Sequence, residues 1–152
     1  MNRMTRRRLA AALLAAAAMP LPAALAAPTA RAVLYKSPQC GCCEGYADYL
    51  RQNGFTVEVK PTDDLGGMGR AVGVPDELQG CHLTVINGHA IEGHVQISTI
   101  RKLLAEWPAD VAAVTLPGMP SGTPGMPGPK EGPLQIYAIS KTGGVPAVYD
   151  LQ

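Results

Sequence analysis

The hydrophobic positions of the chain change period several times, and each change marks an element. Ala32-Val33-Leu34-Tyr35 is a short apolar run that stops at Ser37-Pro38, which predicts a buried strand followed by a turn. Cys43, Tyr46, Ala47 and Leu50 recur at helical spacing within 42–53, and Asn53-Gly54 supplies the stop. Phe55-Thr56-Val57-Glu58-Val59 alternates, as a strand does. Asp63-Asp64 can open a short helix over 64–72, weakened by three glycines. Leu83-Thr84-Val85-Ile86 and His89-Ala90-Ile91-Glu92 flank Asn87-Gly88. Two residues able to take positive φ between such runs predict a hairpin with a type I′ turn. Ile97, Ile100, Leu103 and Leu104 then mark an amphipathic helix that ends near Trp107-Pro108.

The resulting order, strand-helix-strand-helix-strand-strand-helix, predicts an α/β, thioredoxin-like fold with a mixed central sheet flanked by helices. Residues 117–133 break the pattern with six prolines and five glycines in 17 residues, which predicts an arm without a packed element. Pro117-Gly118-Met119-Pro120 and Pro124-Gly125-Met126-Pro127 form an imperfect repeat in it, seven residues apart. Leu134–Ile139 and Val145–Tyr149 flank Lys141-Thr142-Gly143-Gly144 and predict a C-terminal strand pair. The expected division is a core at 27–116, the arm at 117–133, and strands completing the domain at 134–152.

The first 26 residues have a different character. Arg3, Arg6, Arg7 and Arg8 precede an apolar stretch from Leu9 to Ala18, and Ala24-Leu25-Ala26 is a small-residue cleavage site. This predicts an export signal, removed after Ala26, and a periplasmic protein. Thr5-Arg6-Arg7-Arg8-Leu9-Ala10 resembles a twin-arginine signal, and an Arg-rich Sec signal fits as well. Pro20 and Pro22 break a run already short of the ~20 apolar residues of a membrane span. Without this segment the whole-chain charge of +1 becomes −3, from 9 basic and 12 acidic side chains. A mildly acidic remainder lacks the basic face that nucleic acid demands, and 152 residues leave no room for a large multidomain enzyme.

All four cysteines lie in the mature part, three of them in Cys40-Gly41-Cys42-Cys43. Cys40 and Cys43 make a C-x-x-C at a predicted helix N-terminus, where the helix dipole and free N–H groups favour thiolate. Cys40 and Cys42 make a C-x-C, with Gly41 expected to let the backbone curl so that both sulfurs face one soft ion. Thiolates select Cu(I), zinc or iron–sulfur clusters. The predicted fold brings Cys81, ahead of the third strand, back to the same end of the sheet. Four thiolates on so short a frame can bridge several Cu(I) ions; a tetrahedral Cys₄ zinc site is the less natural choice, because structural zinc sites use two separated pairs. A disulfide scaffold is the alternative: a Cys40–Cys43 bridge is easy, and Cys42–Cys81 can follow. His94, just before the last core helix, is the strongest imidazole candidate as a further ligand. His82 follows Cys81 and is expected on the opposite strand face, and His89 sits on the hairpin. The thioethers of Met119 and Met126 suit Cu(I), whereas Met68 is expected to pack.

Taken together, these residues resemble the family of small periplasmic proteins described through the copper-resistance protein CopG. The match runs from about Val33 to Met126. It rests on Lys36 with Cys40-Gly41-Cys42-Cys43, Asn53-Gly54-Phe55, Gly73-Val74-Pro75, Cys81-His82, Ile91-Glu92-Gly93-His94-Val95, and Pro117-Gly118-Met119-Pro120 with Gly125-Met126. The resemblance implies a thioredoxin-like fold, copper at the cysteine cluster and a role in handling excess copper, with redox cycling of the metal left open. This chain departs from the pattern at Tyr46, where the family usually has Trp, at Tyr49, where it usually has His, and at Leu83, where it usually has Thr.

Two functions follow. The first is a periplasmic copper-binding protein, with Cys40, Cys42, Cys43 and Cys81 as metal ligands and His94, Met119 or Met126 as auxiliaries. Its partners would be copper ions and other periplasmic copper carriers or efflux components. The second is a thiol–disulfide oxidoreductase with Cys40 as the catalytic nucleophile and Cys43 as the resolving thiol. Cys42 is an awkward third thiol for such an enzyme, and Gly80-Cys81 stands where a cis-proline is expected.

Overall fold

The structure is a computed structural model that describes residues 30–152. The expected export signal at 1–26 lies outside the described residues. In chain order the elements are β1 (Arg31–Lys36), α1 (Gly41–Gln52), β2 (Thr56–Pro61), α2 (Leu65–Ala71), a 3₁₀ turn (Asp76–Leu78), β3 (His82–Ile86), β4 (His89–Glu92), α3 (Ile97–Ala105), β5 (Val111–Thr115), β6 (Gln135–Ser140) and β7 (Ala147–Leu151).

All seven strands join one mixed sheet in the order β2-β1-β3-β4-β5-β6-β7. β1 pairs in parallel with β2, and β4 with β5; the other pairs are antiparallel. α1 and α3 cover one face over a core that includes Leu34, Tyr46, Leu50, Ile86, Ile91, Ile100, Leu103 and Ile136. α2 covers the other face over Val74, Leu83, Ala90, Ala113 and Ile139. Met68 packs there, as expected. The arrangement is therefore α/β, with helices on both faces of a mixed sheet.

Local chemistry explains the joints. Asn87 and Gly88 have φ of 52° and 82°, so the β3–β4 turn has the two positive values that a type I′ turn requires. Asp64 caps α2 by accepting from the Gly67 N–H at 3.1 Å, one of the donors that a helix start leaves unpaired. α3 has no such cap of its own. Instead the Tyr49 hydroxyl accepts from Ile97 N at 2.8 Å, and Gln152 Oε1 accepts from Gln96 N at 2.7 Å.

Two features differ from the sequence pattern. β5 was not expected: Val111–Thr115 is only five residues long, directly after the Trp107-Pro108 helix stop, and it is mostly buried between β4 and β6. A short run buried on both faces has no alternation to reveal it. The Pro/Gly arm is predicted to hold no packed element, and composition says nothing of where it lies. It forms no helix or long strand, yet it docks on the domain. Gly118 bridges to Gly80, with its N–H donating to Gln79 O at 3.1 Å. Thr123 is buried and donates to Pro120 O at 2.8 Å. Gly125 packs its backbone against α1. The two glycines of the Pro-Gly-Met-Pro repeat share a positive φ, 70° at Gly118 and 83° at Gly125, a conformation that costs a side-chain-bearing residue free energy.

Gly125 is where this geometry leaves least room. A Cβ there would lie 2.5 Å from Tyr46 N and 2.9 Å from Cys42 O. At Gly143, φ is 78° and a Cβ would meet nothing within 4 Å. Gly125→Ala is therefore expected to cost the left-handed penalty of about 1–2 kcal/mol and a steric cost besides, whereas Gly143→Ala is expected to cost the first alone. Thermal melts of the two variants beside the wild type check the order; equal losses would contradict it.

Candidate metal centre

The β1–β3 pairing sets Lys36 opposite His82, so the end of β1 and the start of β3 lie side by side at one end of the sheet. The loop that leaves β1 turns back at once, with Cys40 N donating to Ser37 O at 3.0 Å, and Cys40 becomes the residue that caps α1. Cys42 and Cys43 follow on the first turn, and Cys81 stands immediately before β3. Their sulfurs meet. Cys42 Sγ lies 3.4 Å from Cys40 Sγ and 3.7 Å from Cys81 Sγ, and Cys43 Sγ lies 3.6 Å from Cys81 Sγ. All four fall within 4.8 Å of one another, close enough to share metal ions.

Cys40 and Cys43 are joined as a disulfide, while Cys42 and Cys81 are free thiols. Cys43 Sγ also sits 3.2 Å from the Cys81 carbonyl, a contact that becomes a hydrogen bond once the disulfide is opened. Gly41 does not play the part expected of it. It begins α1 outside the left-handed region, and a Cβ there would meet nothing within 4 Å. The helical turn itself brings Cys40 and Cys42 together.

A second cluster overlaps the first. The donor atoms of Cys81, His82 and His94 also lie within 4.8 Å of one another. His94 Nε2 is 3.1 Å from Cys81 Sγ, and its Nδ1 is 2.6 Å from the Pro124 carbonyl. A carbonyl only accepts, so Nδ1 carries the proton and Nε2 presents its lone pair to the sulfur. That is the tautomer lock found around metal-ligating histidines. Gln152 Nε2 donates to the His94 carbonyl at 3.1 Å, and the Tyr46 hydroxyl donates to Val95 O at 2.8 Å. His94 is thus held from the arm, from β7 and from α1.

His82 was expected to face away from Cys81, and it does not. Cys81 lies in a bend outside β3, so strand alternation does not govern the pair. His82 Nδ1 is 3.4 Å from Cys81 Sγ. Its ring packs against Tyr46 at a centroid distance of 4.4 Å and edge-on to His94 at 4.7 Å. His89, by contrast, stacks on Trp107 at 4.1 Å. Among the arm residues, the docking contacts come from Gly118, Thr123, Pro124 and Gly125; Met119 is 57% exposed and Met126 is half-buried.

Two residues that the chemical reading of the sequence left without a role support the cluster. Lys36 is 4% exposed; its ammonium lies 3.2 Å from Glu44 Oε1 and donates to Pro38 O at 3.3 Å, tying the cysteine loop to the first turn of α1. Glu92 is fully buried on the α2 face, paired in register with Leu83. Its Oε1 accepts from Gly80 N at 3.1 Å, just ahead of Cys81, and its Oε2 has no partner among the described residues. An acidic residue closing an otherwise apolar strand, Ala90-Ile91-Glu92, is the signal that could have marked it.

Burial dominates the electrostatics. It pushes the Cys81 thiol up to about 12, with Cys42 adding to the effect, so this thiol keeps its proton at neutral pH and a metal would have to displace it. Burial lowers His82 to about 3 and also lowers His94, which the Pro124 hydrogen bond opposes, so both rings are neutral and able to ligate. Burial drives the Tyr46 phenol far above its usual range. Burial raises Glu92 to about 7, against the Gly80 hydrogen bond.

Comparison with known proteins adds independent findings. A family described as "Protein of unknown function, DUF411" matches residues 78–126. Two solved structures are similar over nearly their whole length. "Copper resistance protein copG- Form 2" aligns with a TM-score of 0.73 and 31% identity, covering 82% of this chain and 98% of that one. "Copper resistance protein copG- Form 1" aligns with a TM-score of 0.72 and 32% identity, covering 80% of this chain and 96% of that one. A comparison with curated protein sequences gives no match.

Glu92 makes the electrostatics testable. The folded protein holds its proton more tightly than the unfolded chain does. The neutral carboxyl therefore contributes its full stability below the usual carboxylate range and loses it as pH rises through about 7. Glu92→Gln should gain on the wild type between pH 4.5 and 8 by a few kcal/mol, one pKa unit being about 1.4 kcal/mol. Denaturant unfolding of both proteins across that range checks it; a gap that stays constant with pH would contradict it.

Proposed function

The chain belongs to the family of the copper resistance protein copG, and from that membership we propose that it is a periplasmic copper-binding protein of copper resistance. It holds Cu(I) in a cluster of cysteine thiolates on a thioredoxin-like core. The observation that carries this reading is the convergence of Cys40, Cys42, Cys43 and Cys81, whose sulfurs all lie within 4.8 Å. Thiolate sulfur is the soft donor that Cu(I) prefers, and sulfurs this close can bridge several ions. His94, with its lone pair already turned to Cys81, supplies an auxiliary donor; the thioethers of Met119 and Met126 are further soft donors on the arm.

Loading has a definite proton and electron balance. A reducing dithiol, which leaves as its own disulfide, gives the Cys40–Cys43 bridge two electrons and two protons to make two thiols, and each thiol then gives up its proton as copper binds. The same sulfurs can act on copper itself. Two Cu(II) ions take one electron each from reduced Cys40 and Cys43, leaving the disulfide, two Cu(I) ions and two protons. Periplasmic copper carriers and efflux components are the partners that this chemistry would serve, and the basic, apolar leader supports export by the twin-arginine or Sec route.

One observation favours the second reading, a thiol–disulfide oxidoreductase. Cys40 and Cys43 form a disulfide at the N-terminus of α1, where the helix dipole favours a thiolate. In that chemistry Cys40 attacks a substrate disulfide and Cys43 resolves the mixed species.

Anaerobic titration of the reduced chain with Cu(I), in competition with a chelator, is expected to show several ions bound per chain. Cys42→Ser is expected to lower that number while leaving the Cys40–Cys43 pair. No capture of Cu(I) from the chelator would overturn the copper reading. Disulfide reductase activity by the metal-free protein, lost in Cys40→Ser and kept in Cys42→Ser, would establish the second reading in its place.

A further inference from the structure

The four-sulfur reading gives His82 no role, yet His82 is as fully buried beside the sulfurs as His94 is. It is 0% exposed, and its Nε2 has no partner among the described residues. Its Nδ1 faces the Cys81 sulfur at 3.4 Å. Burying a polar ring with one nitrogen unpaired costs free energy, and an apolar side chain of similar volume would fill the space beside Tyr46 without that cost. The next ring, His94, is already fixed as a donor: Nδ1–H is taken by Pro124, and Nε2 lies 3.1 Å from the same sulfur. The three donors of Cys81, His82 and His94 lie within 4.8 Å of one another. This set survives when Cys40 and Cys43 are tied up as a disulfide, because Cys81 stays free.

We propose that the disulfide form of this protein is itself a metal-binding state, in which Cys81, His82 and His94 hold one borderline divalent cation in a mixed thiolate–imidazole site. Cys42, 3.7 Å from Cys81, stands beside the fourth position. One or two thiolates with two imidazoles are the donors of tetrahedral zinc-type sites, whereas four thiolates are a soft, Cu(I)-type set. Cys81 and His94 serve both sets, so the two occupancies compete, and the state of the Cys40–Cys43 pair biases the choice between them. Opening the disulfide with a dithiol, which leaves as its own disulfide, delivers two electrons and two protons and restores the four-sulfur set. Cys81 and His94 are shared with the copper reading, on which this site rests for those two ligands; His82 belongs to the mixed site alone.

The test is titration of the disulfide form with Co(II), without reductant. The expected result is one Co(II) per chain, with the visible bands of a tetrahedral ion and a thiolate charge-transfer band in the near ultraviolet. His82→Ala is expected to weaken binding by more than the roughly 10- to 100-fold that loss of an outer partner costs. Addition of a dithiol and Cu(I) is expected to abolish the cobalt spectrum. Absence of Co(II) binding by the disulfide form would overturn the proposal, as would binding that a folded His82→Ala variant retains. If circular dichroism shows that variant to be unfolded, the wild type decides: Zn(II) must shift the ring nitrogen resonances of His82, and unmoved resonances overturn the proposal. Failure of the copper reading is separate, since it is read on the reduced chain with Cu(I).

Discussion

The antiparallel pairing of β1 with β3 is the constraint on which the site depends. Its register sets Lys36 against His82. One strand therefore leaves the sheet where the other begins, and the two cysteine-bearing segments, 40–43 and 81, have to meet. A slip of β3 by one residue would turn Ile86 away from the α1–α3 core and Leu83 away from the α2 face, so the hydrophobic pattern that builds the core also fixes the distance between sulfurs. The sulfur cluster thus inherits its geometry from apolar burial, which supplies most of the driving force of folding.

Polar interactions gather around this junction. Pro124 fixes the tautomer of His94, Gln152 and Tyr46 hold the carbonyls of His94 and Val95, and Tyr49 caps the helix that follows. Lys36 ties the cysteine loop to α1, and Glu92 holds the segment ahead of Cys81 from the opposite face of the sheet. Partners of this second kind decide how firmly donor atoms are aimed. The Pro/Gly arm belongs with them. Its seven-residue repeat sets one glycine beside Gly80 and the other against α1, so the arm touches both cysteine-bearing segments.

Much of this was legible in the residues. Periodicity located the helices and the hairpin because Asn87-Gly88, Asn53-Gly54 and the Ile97–Leu104 stripe are local signals. Convergence of the four cysteines followed from element order. What escaped was non-local. β5 is identified by its neighbours in the sheet and not by its own pattern. His82 lies on the side that alternation does not predict, because Cys81 sits in a bend one residue ahead of β3. The arm was read from composition, which reports that no regular element forms but not that glycine can bring a backbone close to a helix. Gly41 erred the other way: a glycine between cysteines invited a special conformation, and the ordinary turn of α1 suffices.

The proposed function requires the four sulfurs to act as one copper site. X-ray absorption at the copper edge, on the reduced, copper-loaded wild-type chain, reads this directly. The prediction is Cu(I) in a first shell dominated by sulfur, with a copper–copper vector from ions bridged by shared thiolates. A first shell of nitrogen and oxygen, with neither sulfur nor a second copper, would contradict it.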